Sequence, residues 1–323
     1  MRLGRRRNEP DEERPLVFAG SASPALTAAI CGDLGIEPAR GETMHFSEGT
    51  LFVRALENVR GRNAYVVQST SYPTNDNLVE LLFWIDALKR ASAASVTAVV
   101  PYFGYGKGDR KDEPRVSIRA RVCADAIEAA GVDRVVTMDL HAPQIQGFFR
   151  VPVDDLYAMP YLVEAVRREG LESPVVVAPD AGSAKRARRF ARRLDAPIAI
   201  ADKERAEHDE RAELLELVGD VEGRDALIVD DIVFTGGTLI DAARILRERG
   251  AGRIVAAVTH GVFSGGRDRL DACAIETIYC ADTIEARPDP PPAKVRTVTV
   301  APLFAEAIRR IDRRESISTL FEE

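Results

Sequence analysis

The stretch Ala226-Leu-Ile-Val-Asp-Asp-Ile-Val-Phe-Thr-Gly-Gly-Thr-Leu239 decides the fold class of this 323-residue chain. It opens with a short apolar run, which predicts a buried strand, and Asp230 and Asp231 stand at the carboxyl end of that strand. The loop Thr235-Gly-Gly-Thr238 then leads into a helical pattern from Leu239 to Arg249. Glycines let the backbone approach a ligand closely, and N–H groups at a helix start attract anions. We therefore expect a phosphate in this loop, with the two carboxylates binding vicinal hydroxyls or a metal beside it; an ordinary βα turn with solvated acids is the alternative.

The same alternation of apolar runs and amphipathic segments continues along most of the chain. This pattern is typical of α/β domains with mainly parallel sheets. Predicted strands are Leu16–Ala19, Ala64–Gln68, Val96–Val100, Arg134–Met138, Val175–Ala178, Ile198–Ala201, Ala226–Val229, Ile254–Val258, Ile275–Tyr279 and Thr297–Val300. Predicted helices are Ser23–Cys31, Asn77–Ala91, Ser117–Ala130, Met159–Glu169, Ala184–Leu194, Leu239–Arg249 and Leu303–Arg313.

These elements fall into two halves, as the length of the chain also predicts. We expect a flexible N-terminal tail at residues 1–15, a first domain at 16–158 and a second at 159–302. The last helix, within 303–323, is expected to pack back on the first domain. The polar run Lys203 to Ala212 has no apolar period, so it is expected to be a mobile loop that precedes a short helix.

Composition excludes several classes of protein. A hydrophobic content of 46% and a charged content of 29% are typical of a soluble globular protein, and the net charge of −7 argues against general affinity for nucleic acid. The sequence has no apolar run of the roughly 20 residues that a membrane helix needs, and no apolar segment follows Arg5-Arg6-Arg7 as it would in a secretory signal. The four cysteines are scattered, which favours reduced thiols and a cytoplasmic location.

Three further loops follow predicted strands at the sheet edge where α/β proteins bind ligands. One contains Asp180, and a second contains Asp139 and His141, whose oxygen and nitrogen donors could hold Mg²⁺ beside a polyphosphate. Taken alone, His141 would more often be a structural histidine, but its position at a strand end favours a ligand role.

The third of these loops, residues 101–115, is rich in glycine and in basic side chains. Its spacing matches neither the dinucleotide-binding fingerprint nor the P-loop, but its cations would suit a triphosphate: Lys107, Arg110, Lys111 and Arg115. A solvated basic loop is the alternative. Lys203 and Arg205 directly follow another predicted strand, where they could bring positive charge to a transferring phosphoryl group.

From about Leu16 to Phe321, the sequence resembles the ribose-phosphate diphosphokinases, which are also called phosphoribosyl pyrophosphate synthetases. The stretches that carry the resemblance are Phe46-Ser-Glu-Gly49, Val67-Gln-Ser-Thr70, Asp86-Ala-Leu-Lys-Arg-Ala91, Asp139-Leu-His-Ala-Pro-Gln-Ile-Gln-Gly-Phe-Phe149, Pro179-Asp-Ala-Gly182, Lys203-Glu-Arg205, Asp230–Thr238 and Glu315-Ser-Ile-Ser318. The resemblance implies two tandem phosphoribosyltransferase-like domains, each a mainly parallel sheet flanked by helices. It also implies homo-oligomers, namely hexamers built from dimers, and no nucleic-acid or membrane partner.

The implied reaction moves the β,γ-diphosphate of ATP to the 1-hydroxyl of ribose 5-phosphate, with Mg²⁺, for nucleotide biosynthesis. Carried over by position, the resemblance implies metal contacts at His141 and Asp180 and catalytic cations at Lys203 and Arg205. Ribose 5-phosphate would bind at Asp230, Asp231, Thr235, Gly236, Gly237 and Thr238. ATP would bind at Phe46, Glu48, Thr50, Lys107, Gly108 and Asp109, with Phe46 supplied by a neighbouring subunit. A regulatory site would include Arg115, Gln146, Ser316 and Ser318.

The chain also departs from the family pattern at the recognition residues. Glu48-Gly49-Thr50 stands where Asp-Gly-Glu is usual, Lys107-Gly108 replaces Arg-Gln, and Phe234 replaces a third carboxylate. Two alternatives therefore stay open: the chain could use another sugar phosphate or nucleotide, or it could be a non-catalytic regulatory homologue. A plain phosphoribosyltransferase shares the Ala226–Leu239 motif but would not be expected to contain the His141 stretch or the doubled architecture.

Overall fold

The structure, a computed structural model, describes residues 14–205, 213–285, 287 and 289–321, with the backbone alone for 202–205 and 213–215. Within these residues the chain forms two compact units. The N-terminal unit comprises the residues up to Leu156 together with those from Ala301 onwards, and the C-terminal unit comprises Tyr157–Val300. Each unit contains its own buried apolar cluster around a central sheet.

The N-terminal unit is built on a five-stranded parallel sheet. Its strands are β1 (Leu16–Ala19), β4 (Asn63–Val67), β5 (Ser95–Val100), β6 (Arg134–Met138) and β7 (Val153–Leu156), side by side in the order β1-β4-β5-β6-β7. Its helices are α1 (Pro24–Leu34), α2 (Thr74–Arg90), α3 (Arg119–Ala129) and α8 (Ala301–Asp312).

Helix α2 shows why these residues form these elements. Leu81, Ile85 and Leu88 recur at helical spacing and are fully buried against the sheet. Trp84 lies on the same face, with its ring centroid 5.3 Å from that of Phe18 in β1. These four residues form the buried face of α2.

A separate antiparallel hairpin, β2 (Gly41–His45) and β3 (Leu51–Ala55), follows α1. Its residues are exposed or half-buried, alternating in β3, and Val53 packs against the core of the N-terminal unit. Thr43 donates a hydrogen bond to the buried Glu80 of α2 at 2.7 Å, so the hairpin is fastened to that helix. The hairpin carries the turn that contains Phe46.

Helix α8, from the end of the chain, packs against α1 from its beginning. Phe304 and Ile308 of α8 are fully buried, and Asp312 accepts a hydrogen bond from the side chain of Asn63 at 2.9 Å. The two ends of the described chain thus complete one folding unit.

The C-terminal unit is built on a seven-stranded sheet. The strands are β8 (Val175–Ala178), β9 (Ile198–Arg205), β10 (Glu213–Val218), β11 (Ala226–Val233), β12 (Ile254–Gly261), β13 (Thr277–Ala281) and β14 (Val295–Val298). They lie in the order β10-β9-β8-β11-β12-β13-β14, and all neighbours are parallel except β9 and β10. The helices are α4 (Met159–Arg167), α5 (Ala184–Leu194), α6 (Gly237–Glu248) and α7 (Arg267–Ala272).

Two mainly parallel sheets flanked by helices confirm the predicted α/β class, but one region was predicted wrongly. Lys203 and Arg205 lie within β9 and not in a loop, because β9 pairs with β10 as far as Arg205. The expected short helix before the 226 strand is instead β10. The remainder of the expected loop, 206–212, lies outside the described residues.

Across the described residues, the longest apolar helical stretches fall short of what a bilayer crossing requires.

Candidate active site

Asp180 lies directly after β8, at the carboxyl edge of the C-terminal sheet. Its backbone is extended, and its Oδ1 atom accepts a hydrogen bond from the N–H of Ser183 at 2.8 Å. This bond closes the turn that starts α5, while the aspartate side of the turn remains exposed. The hydroxyl of Ser183 in turn donates to Oδ1 of Asp230 at 3.3 Å, so Ser183 joins two of the predicted site residues.

Asp230 and Asp231 lie inside β11 and not at its end as expected, because β11 continues to Val233 alongside β12. On its other side, pairing with β8 stops at Ile228, which leaves the two acids beyond the end of the neighbouring strand. The N–H of Asp231 donates to Oδ1 of Asp230 at 2.9 Å.

The environment of this pair disfavours two negative charges. Burial, and next the charge of Asp231, raise the pKa of Asp230 from 3.8 to about 7. Arg186 of α5 works in the opposite direction, with its guanidinium 3.9 Å from a carboxylate oxygen of Asp231. A ligand that brings hydroxyl donors or a cation to the pair would favour the ionised form.

The loop Thr235–Thr238 forms the start of helix α6. Gly236 is the residue before the helix and adopts φ +78°, a left-handed conformation that favours glycine. The first helical hydrogen bond runs from the N–H of Ile240 to the carbonyl of Gly236. The N–H groups of residues 237–239 therefore precede the helical ladder, which is the arrangement that binds anions at helix starts.

The C-terminal unit thus brings together most of its predicted site residues. A chain of contacts links Asp180, Ser183, Asp230, Asp231 and Arg186, and the phosphate loop continues from the same strand. Lys203 and Arg205 lie on the same sheet, where their backbones pair with Leu215 and Glu213 of β10.

In the N-terminal unit, Phe46, Glu48 and Thr50 form the turn of the β2–β3 hairpin. The N–H of Phe46 donates to the carbonyl of Thr50 at 2.8 Å, and the Thr50 hydroxyl donates to Glu48 at 2.9 Å. The Phe46 side chain is 45% exposed and meets only one described ring, that of Phe52, edge-on at 6.5 Å. The tip of the hairpin therefore presents an aromatic face to solvent.

The basic loop after β5 lies beside the His141 segment. Gly106, Lys107 and Gly108 form a short 3₁₀ turn, and Gly106 is packed close to His141: a methyl group at Gly106 would lie 3.7 Å from the His141 Cβ atom. Asp109 accepts a hydrogen bond from Gln144, three residues after His141, at 3.0 Å. The predicted triphosphate loop and the predicted metal ligand are therefore neighbours, and the side chains of Lys107 and His141 are both exposed.

The residues of the predicted regulatory site lie in the N-terminal unit. Ser316 and Ser318 hydrogen-bond to each other through their hydroxyls at 3.1 Å, and Arg310 donates to the carbonyl of Ser316. Gln146 donates to the carbonyl of Pro143, and Arg115 is exposed with φ +65°.

The described residues contain no cluster of three or more His, Cys, Asp or Glu side chains arranged to hold a metal ion. His141 and Asp180 belong to different units, and each is exposed at the carboxyl end of a strand of its own sheet.

Sequence reasoning missed two residues of this site. Ser183 and Arg186 fall inside the stretch that follows Asp180, but their roles depend on contacts with Asp230 and Asp231, which are distant in sequence. Their position in the sequence could have indicated this role, because both lie in the first turns of the segment that follows β8 and Asp180.

Two family models match the chain. The N-terminal domain of ribose phosphate pyrophosphokinase matches residues 16–131, and the phosphoribosyl synthetase-associated domain matches residues 210–322. Among curated proteins, the ribose-phosphate pyrophosphokinase of Ralstonia nicotianae is 46% identical over 311 residues, covering 95% of this chain and 98% of the relative. That of Vibrio parahaemolyticus is 48% identical over 309 residues, covering 94% and 98%.

A solved structure agrees with these relatives. The crystal structure of phosphoribosylpyrophosphate synthetase from Mycobacterium smegmatis is 37% identical and superimposes with a TM-score of 0.86, covering 93% of this chain and 99% of that one. With 93% of the chain covered, the match extends over both units. The chain belongs to the ribose-phosphate pyrophosphokinase family of enzymes.

Proposed function

We propose that the protein transfers the β,γ-diphosphate of ATP to the 1-hydroxyl of ribose 5-phosphate, giving phosphoribosyl pyrophosphate and AMP. The observation that carries the proposal is the joined site of the C-terminal unit, where Asp230 and Asp231 precede the helix-start loop Thr235–Thr238. Family membership over nearly the whole chain supports the same reaction.

Ribose 5-phosphate would bind with its phosphate at the start of α6. Backbone N–H groups and the hydroxyls of Thr235 and Thr238 would donate to the phosphate oxygens, and the helix dipole favours the negative charge. Asp230 and Asp231 would accept hydrogen bonds from the ribose hydroxyls. Since those donors compensate the desolvated charge, sugar binding and ionisation of the pair would support each other.

ATP would be bound by the N-terminal unit. The exposed ring of Phe46 suits stacking on adenine, and Glu48 and Thr50 lie on the same turn to contact its polar edge. Lys107, Gly108 and Asp109, on the turn beside His141, would contact the triphosphate. A site completed by a neighbouring subunit would also require an exposed aromatic tip, so we propose a homo-oligomer. From the family resemblance, we propose that it is a hexamer built from dimers.

Mg²⁺ is the proposed cofactor, with His141 and Asp180 as its protein contacts. Their donors fit: an exposed carboxylate oxygen and an imidazole nitrogen can join a shell that consists mainly of water and substrate phosphate oxygens, as Mg²⁺ prefers. When bound, the ion would neutralise charge on the polyphosphate.

The chain itself would contribute alignment and charge. In-line attack needs the anomeric oxygen held against the β-phosphorus, which the loop–carboxylate site can provide at the sugar end. Lys203 and Arg205, near the end of β9, would stabilise the charge that develops on the transferring diphosphate.

Three further proposals follow from the family. Arg115, Gln146, Ser316 and Ser318 would form a regulatory phosphate or nucleotide site, supported by the paired serine hydroxyls and the exposed arginine. The protein would act in nucleotide biosynthesis, and in the cytoplasm, where ATP and sugar phosphates are held.

One observation favours a second candidate. Phe234 is half-buried next to Thr235, where the family pattern has an acid, so an apolar ring lies beside the proposed sugar site. A related enzyme that uses another sugar phosphate or nucleotide would fit this change. A non-catalytic regulatory homologue fits less well, because it would not need both Lys203 and Arg205.

The test is direct. Pure protein incubated with ATP, Mg²⁺ and ribose 5-phosphate should release AMP and the sugar 1-diphosphate in equal amounts. Formation of ADP, or no turnover, would contradict the proposal. A parallel screen of pentose phosphates and nucleoside triphosphates would distinguish the second candidate.

A further inference from the structure

A segment from the next strand along the sheet packs directly against the phosphate loop. This bracing segment, residues 262–270, consists of the turn after β12 and the first part of α7. The N–H of Val262 donates to the carbonyl of Val233 at 2.9 Å, and the N–H of Ser264 donates to the carbonyl of Phe234 at 3.0 Å. The bracing segment therefore continues the β11–β12 pairing as far as Phe234, the residue directly before the loop.

The bracing segment and the phosphate loop are also in direct contact at two glycines, where there is no room for a side chain. A methyl group at Gly266 would lie 2.2 Å from the carbonyl oxygen of Thr235, and one at Gly236 would lie 2.6 Å from side-chain carbons of Leu270. Real Cβ atoms do not approach other atoms so closely. The bracing segment and the phosphate loop therefore restrict each other's backbone positions.

The bracing segment is itself firmly held. Leu270 is fully buried in the core of the C-terminal unit, and its N–H donates to the carbonyl of Gly266 at 2.9 Å. Thr235, by contrast, is exposed on the side of the loop that faces solvent. The packing that defines the loop thus comes from the side of Gly266 and Leu270.

We infer that Gly266 and Leu270 are positioning residues that set the conformation of the loop Thr235–Gly237 and so direct its N–H groups at the sugar phosphate. This inference rests on the proposed function, in which that loop binds the 5-phosphate of ribose 5-phosphate. The N–H groups bind an anion only when they converge, so a small displacement of Thr235 and Gly236 weakens binding of the phosphate more than it affects the nucleotide contacts, which belong to the other unit.

The first test is Gly266→Ala, assayed by steady-state kinetics against both substrates. We expect the KM for ribose 5-phosphate to rise at least tenfold while the KM for ATP stays within twofold. Gly35→Ala is the matched control, since Gly35 has the same φ of +73° but open space where the methyl group would stand. It imposes the same backbone strain in the other unit and should leave both KM values unchanged.

A second pair of variants covers the case in which Gly266→Ala does not fold. Leu270→Ala removes the contact with Gly236, whereas Leu246→Ala removes an equally buried leucine of the same core. Only Leu270→Ala should raise the KM for ribose 5-phosphate, by about three- to tenfold, and only it should reduce the rise in melting temperature caused by ribose 5-phosphate alone.

The outcomes separate the two ideas. Equal effects in each variant and its control, with normal turnover of ribose 5-phosphate by the unmodified protein, would overturn the positioning role and leave the proposed function standing. If the unmodified protein neither binds nor turns over ribose 5-phosphate, the proposed function fails, and the positioning role fails with it.

Discussion

Replacing Asp230 by asparagine should make the ligand-free protein more stable, and increasingly so as the pH rises. Asp230 lies beside Asp231 in a mostly buried setting, and its pKa is raised from 3.8 to about 7 by burial and then by the neighbouring charge. Between these two values the unfolded chain releases a proton that the folded protein retains, so the unmodified protein loses stability as the pH rises through this window. An asparagine side chain keeps the shape and one acceptor oxygen for the N–H of Asp231, but it has no proton to lose.

The size of the effect follows from the same shift. Each pKa unit corresponds to about 1.36 kcal/mol, so a rise from 3.8 to about 7 gives an upper limit on the order of 4 kcal/mol above neutral pH. The difference between Asp230→Asn and the unmodified protein should be small near pH 4, should grow by about 2–3 kcal/mol between pH 5 and pH 8, and should then stay level.

Thermal and urea denaturation at pH 5, 6, 7 and 8, without Mg²⁺ or phosphate, would measure this difference. A gain on the order of 2 kcal/mol raises the melting temperature by several degrees in a domain of this size. Asp225→Asn is the control: Asp225 is a buried aspartate of the same unit, but its two carboxylate oxygens accept hydrogen bonds from the backbone of Glu172 and Arg253. That variant should lose stability, because its NH₂ group would face one of those donors. A pH-independent difference, or a less stable Asp230→Asn protein at pH 8, would refute the reasoning.

Three further perturbations test other parts of the molecule. Lys203→Ala should reduce the rate of the chemical step by about 10³-fold or more, as loss of a transition-state cation does, with the KM for ribose 5-phosphate and the circular dichroism unchanged; near-normal turnover would remove Lys203 from the mechanism. Phe46→Leu should raise the KM for ATP by roughly 5- to 150-fold, since a base–aromatic stack contributes about 1–3 kcal/mol. Tyr72→Leu changes an exposed aromatic outside the hairpin and should leave the KM for ATP unaltered. Glu80→Ala should lower the free energy of unfolding by on the order of 3 kcal/mol or more in urea titrations, because Thr43, Gln68 and Ser21 would lose a buried acceptor; a loss below about 1 kcal/mol would count against this network.

The sequence predicted the regular part of the fold well, because buried parallel strands leave continuous apolar runs. Leu16–Ala19, Arg134–Met138 and Val175–Ala178 were predicted with the bounds that the structure has. Strand β7 was missed because Asp154 and Asp155 make it look polar. Both acids are satisfied in the fold, Asp154 by Arg134 and Asp155 by the N–H of Leu140.

Other elements were missed for separate reasons. The run Glu213–Val218 contains residues that favour helix, but pairing with β9 makes it a strand. The β2–β3 hairpin is exposed on one side and has no continuous apolar run. Helix α7, with six residues, is too short for a helical period to be recognised.

The positions of the candidate site residues were predictable for a physical reason: polar residues after buried strands meet at one edge of a parallel sheet. Asp180 follows β8 as predicted, whereas Asp230 lies within β11 but beyond the end of its pairing with β8, and Ser183 links the two. The contact between Gly266 and Thr235 was beyond such reasoning, because it depends on how closely two loops approach. Even a glycine at that place in the sequence indicates only a turn.

The position of α8 sets the order in which the sequences of the two units are completed during synthesis. The C-terminal unit is one uninterrupted segment, so all of it has been synthesised by Val300. The N-terminal unit lacks α8 until Ala301–Asp312 has been synthesised, although Phe304 and Ile308 belong to its interior. The sequence of the second unit is therefore complete before that of the first, and the interior of the half proposed to bind ATP is completed only by α8.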